Sequence, residues 1–167
     1  MRVALINPRW SFDGSIYFGC REPHLPLELG YARALLEARG HDVLLIDAHL
    51  LDLAPDDLRR AVVDFAAEMT VVTTAPTYLF WRCAQPELRV PAETLLTLTG
   101  VGGLKVGVGP HGSTTPRAAL RKLGCDIVVM GECEETLVRL ADGEGTDLPG
   151  ICYANGGEAR VNGGPQA

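Results

Sequence analysis

Residues 104–136 read LKVGVGPHGSTTPRAALRKLGCDIVVMGECEET, and the order of elements in this stretch indicates the fold. Two short apolar runs rich in valine, at residues 105–108 and 126–130, predict buried β-strands. Between them, a helix is predicted to begin at Pro116, after an N-cap hydroxyl from residues 114–115, and to end at Gly124. A strand, a helix and a second strand in this order form the repeating unit of a parallel α/β sheet.

Glycine and polar residues follow both of these strands. Residues 109–112 (GPHG) come after the first strand, and residues 131–134 (GECE) come after the second. Because glycine carries no side chain, it lets a ligand approach the backbone closely. In open sheets of this type, ligands bind beyond the carboxyl ends of the strands. We therefore expect a ligand site at this edge, with helix capping as the alternative role of Glu132.

The rest of the sequence continues the alternation of strands and helices. Further strands are predicted at residues 2–6, 43–46 and 69–74, and further helices at residues 25–39, 55–67, 91–99 and 133–141. Residues 150–161 predict a β-hairpin that turns at Asn155-Gly156. The pattern predicts a flavodoxin-like α/β fold: a doubly wound parallel five-stranded sheet in the order 2-1-3-4-5, with a C-terminal β-hairpin.

Two connections are longer than usual for this class of fold. Residues 9–24 are rich in glycine and aromatic side chains and follow the first strand, so they lie at the predicted ligand edge. Residues 77–90 predict a lid-like loop or a broken helix. Residues 1–149 are expected to form the domain, and residues 150–167 the hairpin and an exit linker that ends in NGGPQA.

Composition limits the classes of function. A chain of 167 residues, 47% of them hydrophobic, suits one domain with a full core. The net charge of -6 argues against nucleic acid as a partner, because such proteins usually present a basic face. No apolar run approaches the roughly 20 residues of a membrane helix, and the N-terminus does not match a signal peptide. We expect a cytoplasmic protein with no membrane partner.

Five cysteines are spread along the chain without a C-x-x-C pair. This spacing predicts free, mostly buried thiols in a cytoplasmic protein. It also argues against a zinc or iron–sulfur site built by this chain alone. The five residues are Cys20, Cys83, Cys125, Cys133 and Cys152.

Two other cofactor or phosphate chemistries match the sequence poorly. Residues 107–112 match G-x-G-x-x-G, but the dinucleotide fingerprint belongs after the first strand, and here the match follows the fourth. A receiver domain would need acidic side chains after its first and third strands and a lysine after its fifth. This chain has Asn7, Thr74 and Glu132 at those places.

Taken together, the segments resemble one family, the cobalamin-binding domain that precedes the catalytic barrel in cobalamin-dependent radical SAM enzymes. The resemblance covers nearly all of residues 2–162 and is most specific at residues 108–116 (VGPHGSTTP) and 126–140 (DIVVMGECEETLVRL). In the family these segments commonly read GG-x-H-x-T-x-x-P and V-x-G-E-G-E-x-T. This chain departs from them at Val108 and Cys133, each of which replaces a glycine.

The resemblance implies a domain that takes the nucleotide tail of cobalamin into the carboxyl edge of its sheet. Glycines would allow close approach, and amide, hydroxyl and imidazole groups would supply hydrogen bonds. The aromatic loop around Trp10, or residues 78–81, would cover the apolar surface of the corrin. The cofactor-binding residues implied by the resemblance are Asn7, Pro8, Trp10, Thr73, Thr74, Gly109, Pro110, His111, Gly112, Gly131 and Glu132.

The resemblance also implies that cobalamin is held base-off without a protein imidazole on cobalt. Residues 47–52 (DAHLLD) resemble D-x-H-x-x-G, whose histidine ligates cobalt in cobalamin mutases and methionine synthase. Asp52 replaces the glycine, however, and the segment follows the second strand instead of the first. We therefore predict that His49 is an ordinary surface or capping histidine.

The chain has no C-x-x-x-C-x-x-C run for a four-iron four-sulfur cluster, so the cluster and S-adenosylmethionine would belong to a radical SAM domain elsewhere in a parent protein. We expect this chain alone not to be catalytic and the parent enzyme to transfer methyl groups. The alternatives are a cofactor-free interaction domain of the same fold and a free-standing enzyme with another nucleotide-tailed cofactor.

Overall fold

The computed structural model describes residues 1–11, 24–76 and 88–165. Most of the predicted aromatic loop and of the predicted lid-like segment lies outside these ranges, as do Cys20 and Cys83. Within the described part of the chain, no helix has the length and apolar character needed to cross a membrane.

Seven strands and six helices make up the described fold. The strands are β1 (Arg2–Asn7), β2 (Asp42–Asp47), β3 (Met69–Thr73), β4 (Leu104–Val108), β5 (Ile127–Val129), β6 (Ile151–Asn155) and β7 (Glu158–Asn162). The helices are α1 (Leu27–Ala38), α2 (Pro55–Asp64), α3 (Arg89–Thr97), α4 (Pro110–Thr114), α5 (Pro116–Leu123) and α6 (Glu134–Ala141). A single 3-10 turn, Gly145–Asp147, precedes β6.

The strands form one sheet in the order β2-β1-β3-β4-β5-β6-β7. The first five strands are parallel and confirm the predicted order, but the predicted count of five strands is wrong. β6 pairs with β5 in antiparallel register, with Val129 opposite Ile151, and β7 pairs with β6. The predicted hairpin therefore forms, and it extends the sheet because the outer edge of β5 has unpaired backbone groups that β6 satisfies.

Alternating side chains of the strands supply two cores, one on each face of the sheet. Val3, Leu5 and Val71 pack with α1 and α6 on one face. Ala4 and Val72 pack with α2, α3 and α5 on the other. This alternation is the reason that the strands read as continuous apolar runs, since both faces of a parallel sheet are covered.

The connection after β4 differs from the prediction in one respect. Residues 110–114 form the short helix α4, where the sequence predicted a loop, because Pro110 presets a helical φ at the first position. Pro116 begins α5 and Gly124 ends it with a left-handed φ of 63°, as predicted. The predicted N-cap hydroxyl bond is absent, since Thr115 instead donates to the carbonyl oxygen of His111 at 3.5 Å.

Candidate functional site

A cleft of about 770 Å³ opens beyond the carboxyl ends of β4 and β5. This volume lies within the usual range for small-molecule sites. Three segments form its walls: one side of α1, the α4 turn, and the segment that enters α6. The described residues that line it are Glu28, Tyr31, Leu35, Gly109, Pro110, Ser113, Thr114, Gly131, Glu132, Cys133, Glu134, Glu135 and Thr136.

The α4 turn is held close to the sheet by two glycines. Gly109 has a φ of 122° at the position before α4, a conformation that residues with a Cβ rarely adopt. Gly112 faces β5, and a Cβ added there would lie 2.1 Å from the carbonyl oxygen of Val129. The close approach of α4 to β5 therefore requires glycine at position 112, and this packing sets the position of the cleft wall.

Ser113 links the two strand ends that border the cleft. Its Oγ accepts a hydrogen bond from the backbone N–H of Gly131 at 2.8 Å. Gly131 has a φ of 85°, so the chain turns sharply between β5 and α6. The sequence prediction did not include Ser113. Its place within the glycine-rich segment VGPHGSTTP was the available signal, but its partner lies 18 residues further along the chain.

Apart from Glu28, the α1 wall is apolar and partly open to solvent. Tyr31 is 64% exposed and Leu35 is 39% exposed, although both lie on a helix that packs its other side against the core. Cys133 is buried at the base of the cleft, and burial raises the pKa of its thiol well above the usual range. The thiol is therefore neutral and acts as an apolar group. Sequence reasoning did not identify Tyr31 or Leu35.

Thr136 lies on α6 and lines the same cleft. The side chain is buried, with 6% of the residue exposed. The sequence prediction omitted Thr136.

The charged groups of the cleft are all acidic. Glu28, Glu132, Glu134 and Glu135 line it, and no described lining residue is basic. Glu134 and Glu135 stand in the first turn of α6, where acids stabilise the positive end of the helix dipole. The same carboxylates oppose the binding of an anion at this helix terminus.

A second group of predicted residues lies at the ends of β1 and β2. The amide of Asn7 donates to Asp47 Oδ1 at 2.9 Å, and Asn7 Oδ1 accepts from Trp10 Nε1 at 2.8 Å. Asn7, Pro8 and Trp10 are all buried. This network ties the start of the loop after β1 to the edge strand, and none of its members lines the cleft.

A third group of predicted residues lies at the ends of β3 and β4. His111 Nδ1 lies 3.3 Å from Thr74 Oγ1, and both side chains are buried. Thr73 is fully buried, and its hydroxyl has no hydrogen-bond partner among the residues that the structure describes.

The structure thus places four predicted residues on the cleft: Gly109, Pro110, Gly131 and Glu132. The other seven do not line it: Asn7, Pro8, Trp10, Thr73, Thr74, His111 and Gly112.

His49 occupies a different part of the molecule. It lies in the turn after β2, which is the edge strand of the sheet, and it does not line the cleft. Asp52, which replaces the motif glycine, has a positive φ of 48°. Among the described residues, no group of three or more histidine, cysteine or carboxylate side chains is placed to hold a metal ion.

A doubly wound sheet with a cleft beyond its carboxyl ends defines an α/β ligand-binding domain. The family model "B12 binding domain" matches residues 20–141, more than two thirds of the chain. The chain therefore belongs to the B12-binding domain family, and cobalamin is its cofactor. A search of curated protein sequences finds no match.

Solved structures share the fold. The radical S-adenosylmethionine methyltransferase TsrM from Kitasatospora setae, with cobalamin and a [4Fe-4S] cluster bound, superposes with a TM-score of 0.73 at 23% identity over 97% of this chain. The cobalamin-dependent S-adenosylmethionine radical enzyme OxsB, with aqua-cobalamin and S-adenosylmethionine bound, gives a TM-score of 0.66 at 15% identity over 99% of this chain. The chain spans 29% of the TsrM chain and 22% of the OxsB chain.

The described residues fit cobalamin. Thr73, at the end of β3, buries a hydroxyl that lacks a partner within the described part of the chain, so it is available to bind a ligand or a bridging water. Gly109 and Gly131 leave the backbone of the cleft accessible. The exposed surface of the cleft is mainly apolar and its charged groups are all acidic, which suits an uncharged heterocyclic base better than an anionic ligand.

Proposed function

We propose that this chain is the cobalamin-binding part of a radical SAM enzyme and that it holds cobalamin base-off, with the nucleotide tail in the cleft. In the parent enzyme, we propose that cobalamin supports methyl transfer, with the iron–sulfur cluster and S-adenosylmethionine held by a separate radical SAM domain. The observation that carries the proposal is the cleft itself. It lies at the carboxyl edge of a sheet of the B12-binding family, and Gly109, Pro110 and Gly131 line it.

The placement of His49 supports base-off binding without a protein imidazole on cobalt. β1, β3 and β4 lie between the edge strand β2 and the strand β5 that borders the cleft. In this proposal, Gly109, Pro110 and Gly131 form the backbone floor of the tail site. Asn7, Trp10 and Asp47 hold the loop after β1 through their hydrogen bonds.

The remaining predicted residues have supporting positions in this proposal. Thr73, Thr74 and His111 form a buried polar layer at the ends of β3 and β4, next to the cleft. The hydroxyl of Thr73 would bind part of the tail or a water molecule that bridges to it. Gly112 would act indirectly, by allowing α4 to pack on β5.

The radical SAM domain is the proposed partner. The chain corresponds to less than a third of the TsrM and OxsB structures, which supports a place within a larger enzyme. A cytoplasmic location and the lack of nucleic-acid and membrane partners stay predictions from the sequence.

The proposal is tested by an absorption titration of the purified chain with hydroxocobalamin under anaerobic conditions, followed by gel filtration. We expect the colour to elute with the protein and the spectrum to be that of the base-off form. Gly109→Trp should weaken binding, because the indole would fill the cleft. Gly143→Trp is the matched control, since Gly143 also has a positive φ, of 90°, but lies in open space beyond α6. Equal binding by the two variants would contradict this placement of the site.

A cofactor-free interaction domain is the second candidate. Leu27, Tyr31 and Leu35 are spaced by four residues on α1 and are all exposed, which presents an apolar row beside the cleft. An interaction domain would leave hydroxocobalamin unbound in the titration above. Colour that separates fully from the protein would therefore favour this second candidate.

A further inference from the structure

The turn after β2 exposes two adjacent leucines at the carboxyl edge of the sheet, where the cleft also opens. Leu50 is 60% exposed and Leu51 is 62% exposed. None of the other exposed large apolar side chains of the described residues has such an immediate neighbour in the sequence. Single exposed leucines are ordinary on a protein surface, whereas clustered apolar side chains at a ligand edge indicate a contact surface.

Hydrogen bonds fix the conformation of this turn. Asp47 Oδ1 accepts the backbone N–H of Leu50 at 3.0 Å and the side-chain amide of Asn7 at 2.9 Å. Further backbone hydrogen bonds close the turn behind the two leucines. An ion pair between Arg9 and Asp52, at 2.6 Å, joins the turn to the segment after β1. The leucines are therefore already held in place, so their burial by a ligand costs little additional ordering of the backbone.

The sheet order places this turn within reach of a corrin ring whose tail occupies the cleft. Three strand spacings separate β2 from β4, about 14 Å in total at the usual spacing of about 4.8 Å. Gly109 and Pro110, which line the cleft, directly follow β4. A corrin ring with its peripheral side chains is comparable in width to this span. A ring that lies outside the cleft can therefore extend across the ends of β3 and β1 to the turn.

The chemistry of the turn suits the periphery of the corrin ring. That periphery carries methyl groups between its amide side chains, so contact with the two leucines would bury apolar surface on both molecules. The nearby carboxylates of Asp47 and Asp52 are engaged by Asn7 and Arg9. The contact is thus apolar, and leucine supplies no ligand to cobalt.

We propose that Leu50 and Leu51 form an apolar contact for the edge of the corrin ring. This inference rests on the proposed function, in which the nucleotide tail lies in the cleft. It assigns part of the corrin site to the turn after the edge strand, a segment that does not line the cleft. The two leucines add to the affinity for the ring and have no contact with the tail.

The test titrates a double variant, Leu50→Gln with Leu51→Gln, with hydroxocobalamin and with cobinamide, which keeps the corrin ring but lacks the nucleotide tail. Glutamine has a similar length but a polar end. We expect the affinity for both ligands to fall by the same factor, about ten- to thirtyfold, because the apolar contact with the ring is lost. The absorption spectrum of bound hydroxocobalamin should stay that of the base-off form.

Leu96→Gln is the matched control, because Leu96 is 73% exposed near the end of α3, which leads toward the amino end of β4. It should bind both ligands as the wild type does. Thermal unfolding without ligand provides a second readout. Both proteins should unfold close to the temperature of the wild type, since exposed side chains contribute little to stability.

The outcomes separate this inference from the proposed function. If the wild type binds no hydroxocobalamin, the proposed function fails and the inference fails with it. If the wild type binds hydroxocobalamin and the double variant binds it equally well, the inference alone is overturned, and the leucines are left as a surface for a protein partner. A loss of affinity for hydroxocobalamin without a matching loss for cobinamide would also overturn it, because the leucines would then contact the tail.

Discussion

At the scale of single residues, two glycines in helices have opposite requirements. Gly30 lies within α1, and a Cβ added there would meet nothing within 4 Å. Gly112 lies within α4, and a Cβ there would meet the carbonyl oxygen of Val129 at 2.1 Å. Gly30 therefore only weakens α1, whereas Gly112 makes the contact between α4 and β5 possible.

This contrast predicts that alanine substitutions at the two positions will have opposite effects on stability. Gly30→Ala should raise the free energy of unfolding by about 0.5–1 kcal/mol, because alanine has the higher helix propensity. Gly112→Ala should lower it by about 1–3 kcal/mol, as overpacking does. Urea denaturation followed by circular dichroism measures both changes. A neutral or stabilising Gly112→Ala would contradict the close packing of α4 on β5.

A hydrogen bond of Glu68, at the amino ends of the strands, predicts that the stability of the protein depends on pH. Its carboxylate accepts the backbone N–H of Arg2 at 2.7 Å, and this bond lowers the pKa of Glu68. Since the pKa is lower in the folded state, the stabilising contribution is present above the unfolded pKa and is lost as the pH falls through the folded pKa. Glu68→Gln should therefore lose less stability than the wild type on acidification below about pH 4.3. Denaturation curves between neutral and acidic pH test this, and parallel pH profiles of the two proteins would refute it.

At the scale of elements, the end of α2 carries local strain. Ala66 has a φ of 53°, and the N–H groups of Ala66 and Ala67 donate to the carbonyl oxygens of Val63 and Val62. This arrangement is a Schellman motif, which normally has glycine at the left-handed position. The sequence predicted that α2 continues to about residue 67, because alanine gave no stop signal, whereas the helix ends at Asp64.

We expect Ala66→Gly to raise the free energy of unfolding by about 1 kcal/mol, since glycine adopts a positive φ without the penalty of a Cβ. Ala34→Gly is the control, because Ala34 lies in the middle of α1 on its exposed side. That substitution should lower stability by about 0.5–1 kcal/mol. Chemical denaturation measures the change in the free energy of unfolding for both variants. A loss of stability in Ala66→Gly as well as in Ala34→Gly would argue against the left-handed conformation at position 66.

At the scale of the whole molecule, the hairpin β6–β7 is part of the sheet. Ile151 is fully buried in the same core as β1, β3 and α1. Cys152 faces the other core and is also fully buried. The hairpin thus contributes to both layers of the domain and covers the edge of β5.

Ile151→Ala should lower the free energy of unfolding by about 2–5 kcal/mol, in the range of buried large-to-small substitutions. Leu96→Ala is the control, because Leu96 is 73% exposed on α3, and it should change stability by less than about 0.5 kcal/mol. Equilibrium unfolding of both variants measures the difference. A small effect at Ile151 would indicate that the hairpin is peripheral to the fold.

Local sequence patterns were sufficient for the parallel part of the fold. Valine-rich runs predicted the first five strands, and the spacing of apolar residues predicted the helices between them, since both signals are local to each segment. The alternation of these elements predicted the order of the five strands, which the sheet confirms. Pro116 and Gly124 likewise marked the ends of α5, because each acts through its own backbone. The cobalamin family was also evident from the residues around positions 108–116 and 126–140, where the glycine and polar pattern is most specific.

Only the tertiary structure decided which side chains line the cleft. Ser113 is positioned by Gly131, and Gly112 is required by Val129, so both roles depend on residues distant in sequence. The place of the hairpin in the sheet depends on the unpaired edge of β5. Sequence by itself determined most of the elements, because these follow from local periodicity, and the resemblance of its motifs to a family indicated the cofactor class. Contacts across the fold determined the site, because packing selects which groups line the cleft.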